Sequence, residues 1–311
     1  MKLRTLLSRM KWFFTVALAT VMLTGCNGQF VVLDPKGPVG KQELDLIILS
    51  TVLTLIVIIP VLIMLWIFVA KYRDKPGNKA PYKPEWEDNK TLEIIWWGIP
   101  IVIIGILGVY TAKTTFALTK PPVQNVAPIT IQVTSLDWKW LFQYPGQKIA
   151  TVNYVEIPAG VPVNFVLTSD APVNSFWVPQ LGGQEYTMPG MALTLWLQAD
   201  KPGSYLGMGA NFTGEGFAHM RFHVIAKPQS DFNAWVNHVK QTAPALTKAG
   251  YQNLTQPSVT DQMSFSSYPD GLFEATVNKN GGIYMPMQQG NMKKEDTPAD
   301  NNAMKNMKMG Q

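Results

Sequence analysis

The stretch Gly209-Ala210-Asn211-Phe212-Thr213-Gly214-Glu215-Gly216-Phe217-Ala218-His219-Met220 decides how this chain is read. Runs that alternate between apolar and polar residues stand on both sides of it. They are Ile129-Thr130-Ile131-Gln132-Val133, Val163-Asn164-Phe165-Val166-Leu167, Leu193-Thr194-Leu195-Trp196-Leu197 and Arg221-Phe222-His223-Val224-Ile225, with Gly, Pro and Asn between them. Period-two runs at this spacing predict an antiparallel β-sandwich or barrel from Ile129 to about Lys227. A second segment of note, Asn174-Ser175-Phe176-Trp177-Val178-Pro179, falls inside the same region.

The ligand supply of that region is poor. Thiolate copper sites need soft sulfur donors, and mixed sites add imidazole. The chain has 1 Cys and 3 His. Cys26 is far from the β region, so no thiolate centre forms there. His219 and His223 are expected on one strand face, roughly 13 Å apart at about 3.3 Å per residue, too far to share an ion. His238 belongs to a later helical stretch, and all three read as ordinary histidines. Met220 supplies the loop's one thioether, and it cannot hold copper alone. No Ser-His-Asp arrangement, phosphate-binding glycine loop or zinc motif stands out.

Composition points to a membrane. Hydrophobic residues make up 47 % of the 311 and charged residues only 15 %. Lys2, Arg4, Arg9 and Lys11 precede the apolar run Trp12–Leu23, the n-region and h-region of a secretory signal. The net charge of +5 is therefore misleading: without residues 1–25, 22 basic residues face 21 acidic ones, and no nucleic-acid surface is supported. The signal ends Leu23-Thr24-Gly25-Cys26, which resembles a bacterial lipobox and implies acylation of Cys26 after cleavage. A segment 26–43 then leads to two apolar runs, 44–70 and 92–110. They are about 27 and about 19 residues long, enough for two membrane spans. Pro60 and Pro100 inside them predict kinks rather than ends.

Orientation follows from charge. The loop 71–91 carries Lys71, Arg73, Lys75, Lys79, Lys83 and Lys90, so it is expected on the cytoplasmic side. The N-terminus and the β domain, 129–228, then both lie outside. Lys120-Pro121-Pro122 begins a stiff linker between hairpin and domain. Residues 229–284 read as a helical and extended segment, with a capped amphipathic helix from Ser230 to Val239 and a short helix around Leu246–Leu254. Residues 285–311 are polar, dotted with Met285, Met287, Met292, Met304, Met307 and Met309, and expected to be disordered.

Several blocks together are more specific than any one. Leu33-Asp34-Pro35-Lys36-Gly37-Pro38, Val69-Ala70-Lys71-Tyr72-Arg73, Asp137-Trp138-Lys139-Trp140, Asn174 to Gly182 and Asn211-Phe212-Thr213-Gly214 resemble subunit II of the haem–copper respiratory oxidases. The resemblance is to their quinol-oxidising branch, with the menaquinol type of Gram-positive bacteria nearest in wording and the ubiquinol type next. It covers the chain from the lipobox to about residue 275. It implies a cupredoxin-type sandwich carried on a two-helix transmembrane hairpin.

In the cytochrome c-oxidising members of that superfamily, a two-copper centre is held by one upstream His and then Cys-x3-Cys-x3-His-x2-Met. Those positions fall here on Asn174, Gly209, Thr213, Phe217 and Met220, so a dicopper centre is not expected. The haems and the remaining copper are implied for a partner, oxidase subunit I, accompanied by further small membrane subunits and membrane lipids. The complex would oxidise quinol, reduce dioxygen to water and translocate protons, with no part for cytochrome c. The resemblance also places Glu93, at the start of the second span, at the cytoplasmic mouth of a proton pathway into subunit I. By its residues alone, Glu93 is an acid in a helix's first turn, favoured by the macrodipole. Trp96 and Trp97 suit an interfacial aromatic belt, and Trp138, Trp140 and Tyr144 are expected to form an aromatic cluster. A reading of another class stays open: a free-standing membrane lipoprotein with a cupredoxin remnant, serving as copper carrier or scaffold.

Overall fold

A computed structural model describes residues 30–81, 85, 87–279 and 281–282. The signal segment 1–25, Cys26 and the tail 285–311 lie outside the described residues. A 3-10 turn, Val31–Leu33, leads into α1, Pro38–Tyr72, and α2 follows over Lys90–Leu118. Both helices are long and apolar enough to cross a membrane, and their side chains stand almost wholly exposed. Each runs past its apolar run at both ends because capping extends it. Pro38 sits in the first turn of α1, where its missing N–H is no loss, and Asn89 accepts from the Leu92 amide at 3.1 Å to start α2. Pro60 and Pro100 lie inside unbroken helices.

Among the described residues the sandwich has eleven strands: β1 Ile129–Leu136, β2 Lys139–Tyr144, β3 Ile149–Val152, β4 Tyr154–Pro158, β5 Val163–Ser169, β6 Asn174–Trp177, β7 Gln184–Thr187, β8 Leu193–Leu197, β9 Gly203–Gly209, β10 Arg221–Lys227 and β11 Met263–Phe265. One sheet is ordered β11-β3-β2-β1-β5-β8, the other β4-β10-β9-β6-β7. The expected all-antiparallel arrangement is corrected at two places, since β1 pairs β5 and β10 pairs β4 in parallel. Period-two patterning sets which face a side chain takes but carries no sign for strand direction.

Facing side chains of the two sheets fill the gap between them. Phe176 and Phe222 stack with centroids 4.9 Å apart, and Trp140 meets both edge-on at 5.5 and 5.6 Å. Trp140 and Tyr144, on the same face of β2, both belong to this core, and Trp138 packs against it partly buried. Tyr144 meets Trp235 on α3, Gln229–Thr242. Trp138 sits on the β1–β2 hairpin in the left-handed region, φ 69°. The expected cap at Ser230 is also corrected: Pro228 precedes α3, and Ser230 bonds the Asp231 carboxylate instead.

The outer face of the six-stranded sheet is covered as well. Leu141, Leu136 and Val152 pack under Tyr251 and Leu254 of α4, Lys248–Leu254, while Val166 packs under Phe273 and Val277 of α5, Leu272–Lys279. Lys139 locks this cover. Its ammonium, 1 % exposed, donates to the carbonyls of Asp137, Leu254 and Gln256 at 2.8, 2.9 and 2.9 Å. A cation at the end of α4 meets the carbonyls that the helix leaves open. Burial pulls this ammonium below the ordinary lysine value, and the Asp137 carboxylate pushes back up.

Finally, α1 is fastened to the sandwich rather than hinged from it. The Lys36 amide donates to Gln180 at 2.7 Å, the Gly40 amide to Leu181 at 3.0 Å, and the Asp200 amide to the Lys36 carbonyl at 2.9 Å. A Cβ at Gly37 would fall on the Gln198 carbonyl, so only glycine fits there. Val39 joins the main core, and the Glu43 carboxylate accepts from the Gly183 amide at 2.8 Å. At the other end Leu118 of α2 packs on the same core.

Two predictions follow from the covering layer. Lys139→Met keeps the stem but strips three carbonyls of their donor; thermal unfolding of the detergent-solubilised chain is expected to show a loss of about 1–3 kcal/mol. The second concerns alkali. Burial raises the Tyr251 phenol, and it pushes Tyr268 up to about 12 with help from Glu274 and Asp270. A phenol raised in the folded state adds stability that is complete below the unfolded value near 10 and is lost as pH climbs through the folded one. Near-ultraviolet circular dichroism is expected to hold to about pH 10 and to decay above it, while helix content from α1 and α2 persists.

Candidate functional site

The loop between β9 and β10 closes over one end of the sandwich and meets the start of β6. Two strand pairings bring it there: β6 pairs β9 with Phe176 opposite Gly209, and β10 pairs β9 with Arg221 opposite Met208. The chain therefore leaves β9 at Gly209, travels through Thr213 and a 3-10 turn, Phe217–His219, and returns at Met220. The Gly209 amide donates to the Met220 carbonyl at 2.9 Å, and Ala210 donates to the Ser175 carbonyl at 2.9 Å.

Four of the five positions singled out in the sequence come together here. Asn174 is fully buried, and its amide nitrogen donates to the Met220 sulfur at 3.0 Å. Its amide oxygen accepts from Ser175 at 2.8 Å and from Asn211 at 3.4 Å. The Thr213 hydroxyl reaches the same sulfur at 3.7 Å. Gly209 completes the group: a Cβ placed on it would stand 2.9 and 3.0 Å from the two terminal atoms of Asn174. Phe217 is the exception. It rides the 3-10 turn and meets Phe212 edge-on at 5.6 Å, leaving Phe212 79 % exposed at the rim.

A two-copper centre does not fit this arrangement. The polar atoms present are an amide, a hydroxyl and a thioether, all engaged with one another. Copper of that kind asks for thiolate and imidazole. The Asn174 amide also crowds the position that the β-carbon of a cysteine at 209 would take, at 2.9 and 3.0 Å. Among the described residues, no group of three or more His, Cys, Asp or Glu converges to hold a metal ion. His219 lies on the 3-10 turn and not on a strand, which corrects the expected placement of His219 and His223 on one strand face. The glycines of the loop, spaced for tight turning, end the preceding alternation at Gly209. His223 bonds Ser204 at 3.2 Å.

Trp138 holds the loop from outside. Its indole N–H donates to the Thr213 carbonyl at 3.0 Å, and its ring fills the space over Gly216 so completely that a Cβ there would overlap it. This role was not evident from the sequence, although the glycines at 214 and 216 were a signal that something bulky comes close. Glu93 is remote from the loop. It is exposed in the first turn of α2, its amide bonded to the Asn89 carbonyl at 3.0 Å.

The comparisons with known proteins agree with this geometry. The family described as cytochrome c oxidase subunit II, periplasmic domain, matches residues 146–227. The quinol oxidase subunit 2 of Bacillus cereus is 49 % identical over 250 residues, covering 80 % of this chain and 86 % of that protein. That of Bacillus subtilis is 44 % identical over 263 residues, covering 83 % and 82 %. The cytochrome bo(3) ubiquinol oxidase subunit 2 of Pseudomonas putida is 44 % identical over 270 residues, covering 86 % and 85 %.

If the Asn174 amide occupies the space beside Gly209, the two positions are coupled. Gly209→Ala alone is expected to cost about 1–3 kcal/mol in thermal unfolding. Made in a chain that already carries Asn174→Gly, it is expected to cost measurably less. Strictly additive costs would mean that the amide and the missing β-carbon do not compete.

Proposed function

The chain belongs to the quinol oxidase subunit 2 family, and from that premise we propose that it is the second subunit of a respiratory complex that oxidises quinol, reduces dioxygen to water and moves protons outward, while holding no redox centre itself. The observation that carries the proposal is the Asn174–Met220 contact. It fills, with an amide and a thioether, the place where cytochrome c-oxidising relatives would carry copper. Electrons from quinol then pass directly to the haems and copper of subunit I. Quinol reaches the complex through the bilayer, so no acceptor facing water is required.

The remaining parts have mechanical and protonic roles. The hairpin α1–α2 spans the bacterial cytoplasmic membrane and offers its apolar surface to subunit I, to smaller membrane subunits and to lipid. That assignment is supported by the near-complete exposure of both helices in the isolated chain. The sandwich lies on the extracytoplasmic side, in keeping with the periplasmic-domain family that it matches. Cys26 carries the lipid anchor at the same surface. Glu93 marks the cytoplasmic mouth of a proton path, a role supported by its exposed place in the first turn of α2.

Two measurements test this. In the purified complex, Glu93→Gln is expected to slow oxygen consumption several-fold with subunit stoichiometry intact; unchanged turnover and pumping would remove Glu93 from the path. Metal analysis after separating the subunits is expected to find copper with subunit I and none with this chain. Two coppers per copy of this chain would overturn the proposal.

A further inference from the structure

The chain just upstream of α1 presents an apolar facet that nothing among the described residues covers. Phe30 is 66 % exposed and Leu33 53 %, with Val31 and Val32 between them. The facet is not a loose end. The Leu33 amide closes a turn onto the Phe30 carbonyl at 2.8 Å, and the turn packs beside the start of α1. Pro35 lies against Gly40, and Lys36 is bonded on both sides, to Gln180 and to Asp200. A fixed turn with two large apolar side chains turned outward is a surface with a definite partner.

We propose that Phe30–Leu33 is a membrane foot, seated in the headgroup region of the outer leaflet beside the lipid anchor. Length supports this. At about 1.5 Å per residue α1 is roughly 52 Å long, whereas a bilayer with its headgroups is about 40–45 Å thick. The first turns of α1, clamped to the sandwich, therefore cross the interfacial zone, and the turn lies beside them at that depth. Chemistry changes abruptly at the next residue: Asp34 and Lys36 form an exposed ion pair at 2.7 Å, next along the chain to the apolar facet. Cys26 is four residues before Phe30, at most about 14 Å of extended chain. An acyl chain there, which rests on the reading proposed above, brings the same stretch to the same leaflet. Aromatic and aliphatic side chains at this depth bury their apolar surface among headgroups and upper acyl chains.

The test uses the whole complex in lipid nanodiscs, with this subunit carrying Phe30→Cys or Leu33→Cys and a nitroxide on the new thiol. Cys26 is the chain's one native cysteine, and the parent complex labelled in parallel supplies the background. Collision with oxygen, which partitions into lipid, is compared with collision with a water-soluble nickel chelate. Oxygen is expected to dominate at positions 30 and 33, and nickel at Asp270→Cys, whose side chain is 94 % exposed. Nickel dominating at 30 and 33 overturns the foot. Protection from both reagents overturns it too, because it places the facet against protein. The intact mass of the subunit reports separately on Cys26. An unmodified cysteine with the facet in lipid keeps the foot and removes the anchor, whereas an acylated one with the facet in water removes the foot alone.

Discussion

A buried amide must have its donors and acceptors met, and Asn174 is met only by folding three pieces of chain around it. Its oxygen takes the Ser175 and Asn211 amides, and its nitrogen points at the Met220 sulfur. Leaving any of these unmade inside the sandwich would cost about 1–3 kcal/mol. The start of β6, the end of β9 and the return into β10 are therefore drawn to one point. The interaction has the connectivity of a metal site, with one centre and ligands from separate strands, but it is built from neutral groups. It ties the loop as a metal would and has no electron to give or take.

The closed loop depends in turn on Trp138. A tryptophan at positive φ is uncommon, because its Cβ crowds the backbone there. The conformation is held because the ring finds a fitted place over Gly216 and its N–H finds the Thr213 carbonyl. Residues 137 and 139 flank it as parts of a second fastening, since the Lys139 ammonium takes the Asp137 carbonyl together with the end of α4. One short hairpin thus pins the β9–β10 loop on one side and the C-terminal cover on the other.

Much of this was legible in the chain, and the limits are physical. Alternation along Ile129–Val133 and Val163–Leu167 announced strands, and 174, 209, 213 and 217 carry neither sulfur nor imidazole. The parallel pairings of β1 with β5 and β10 with β4 were hidden, because alternation looks the same in either direction. The cover by α4 and α5 left a trace that was open to reading: Trp140-Leu141-Phe142 is apolar on both faces, as expected of a strand buried on both. The fastening of α1 could not be read from its own residues, because Gln180, Leu181, Gly183 and Asp200 are far along the chain. Long-range backbone bonds leave no local pattern.

The fastening gives the outer domain its use. A domain that receives electrons must be placed so that a carrier from the water can find it. One that receives none needs only to stand firmly where it is. Val39 in the core, Glu43 on Gly183 and Leu118 against the sandwich hold both membrane helices to one block of β-structure. That block resists the splaying of α1 from α2 at the outer surface, where helix ends are most exposed to water. Glu93 sits at the opposite end of α2, joined to Leu118 by one continuous helix. The sandwich, on this argument, braces the two long helices, and the Asn174–Met220 contact keeps the far end of that brace from loosening.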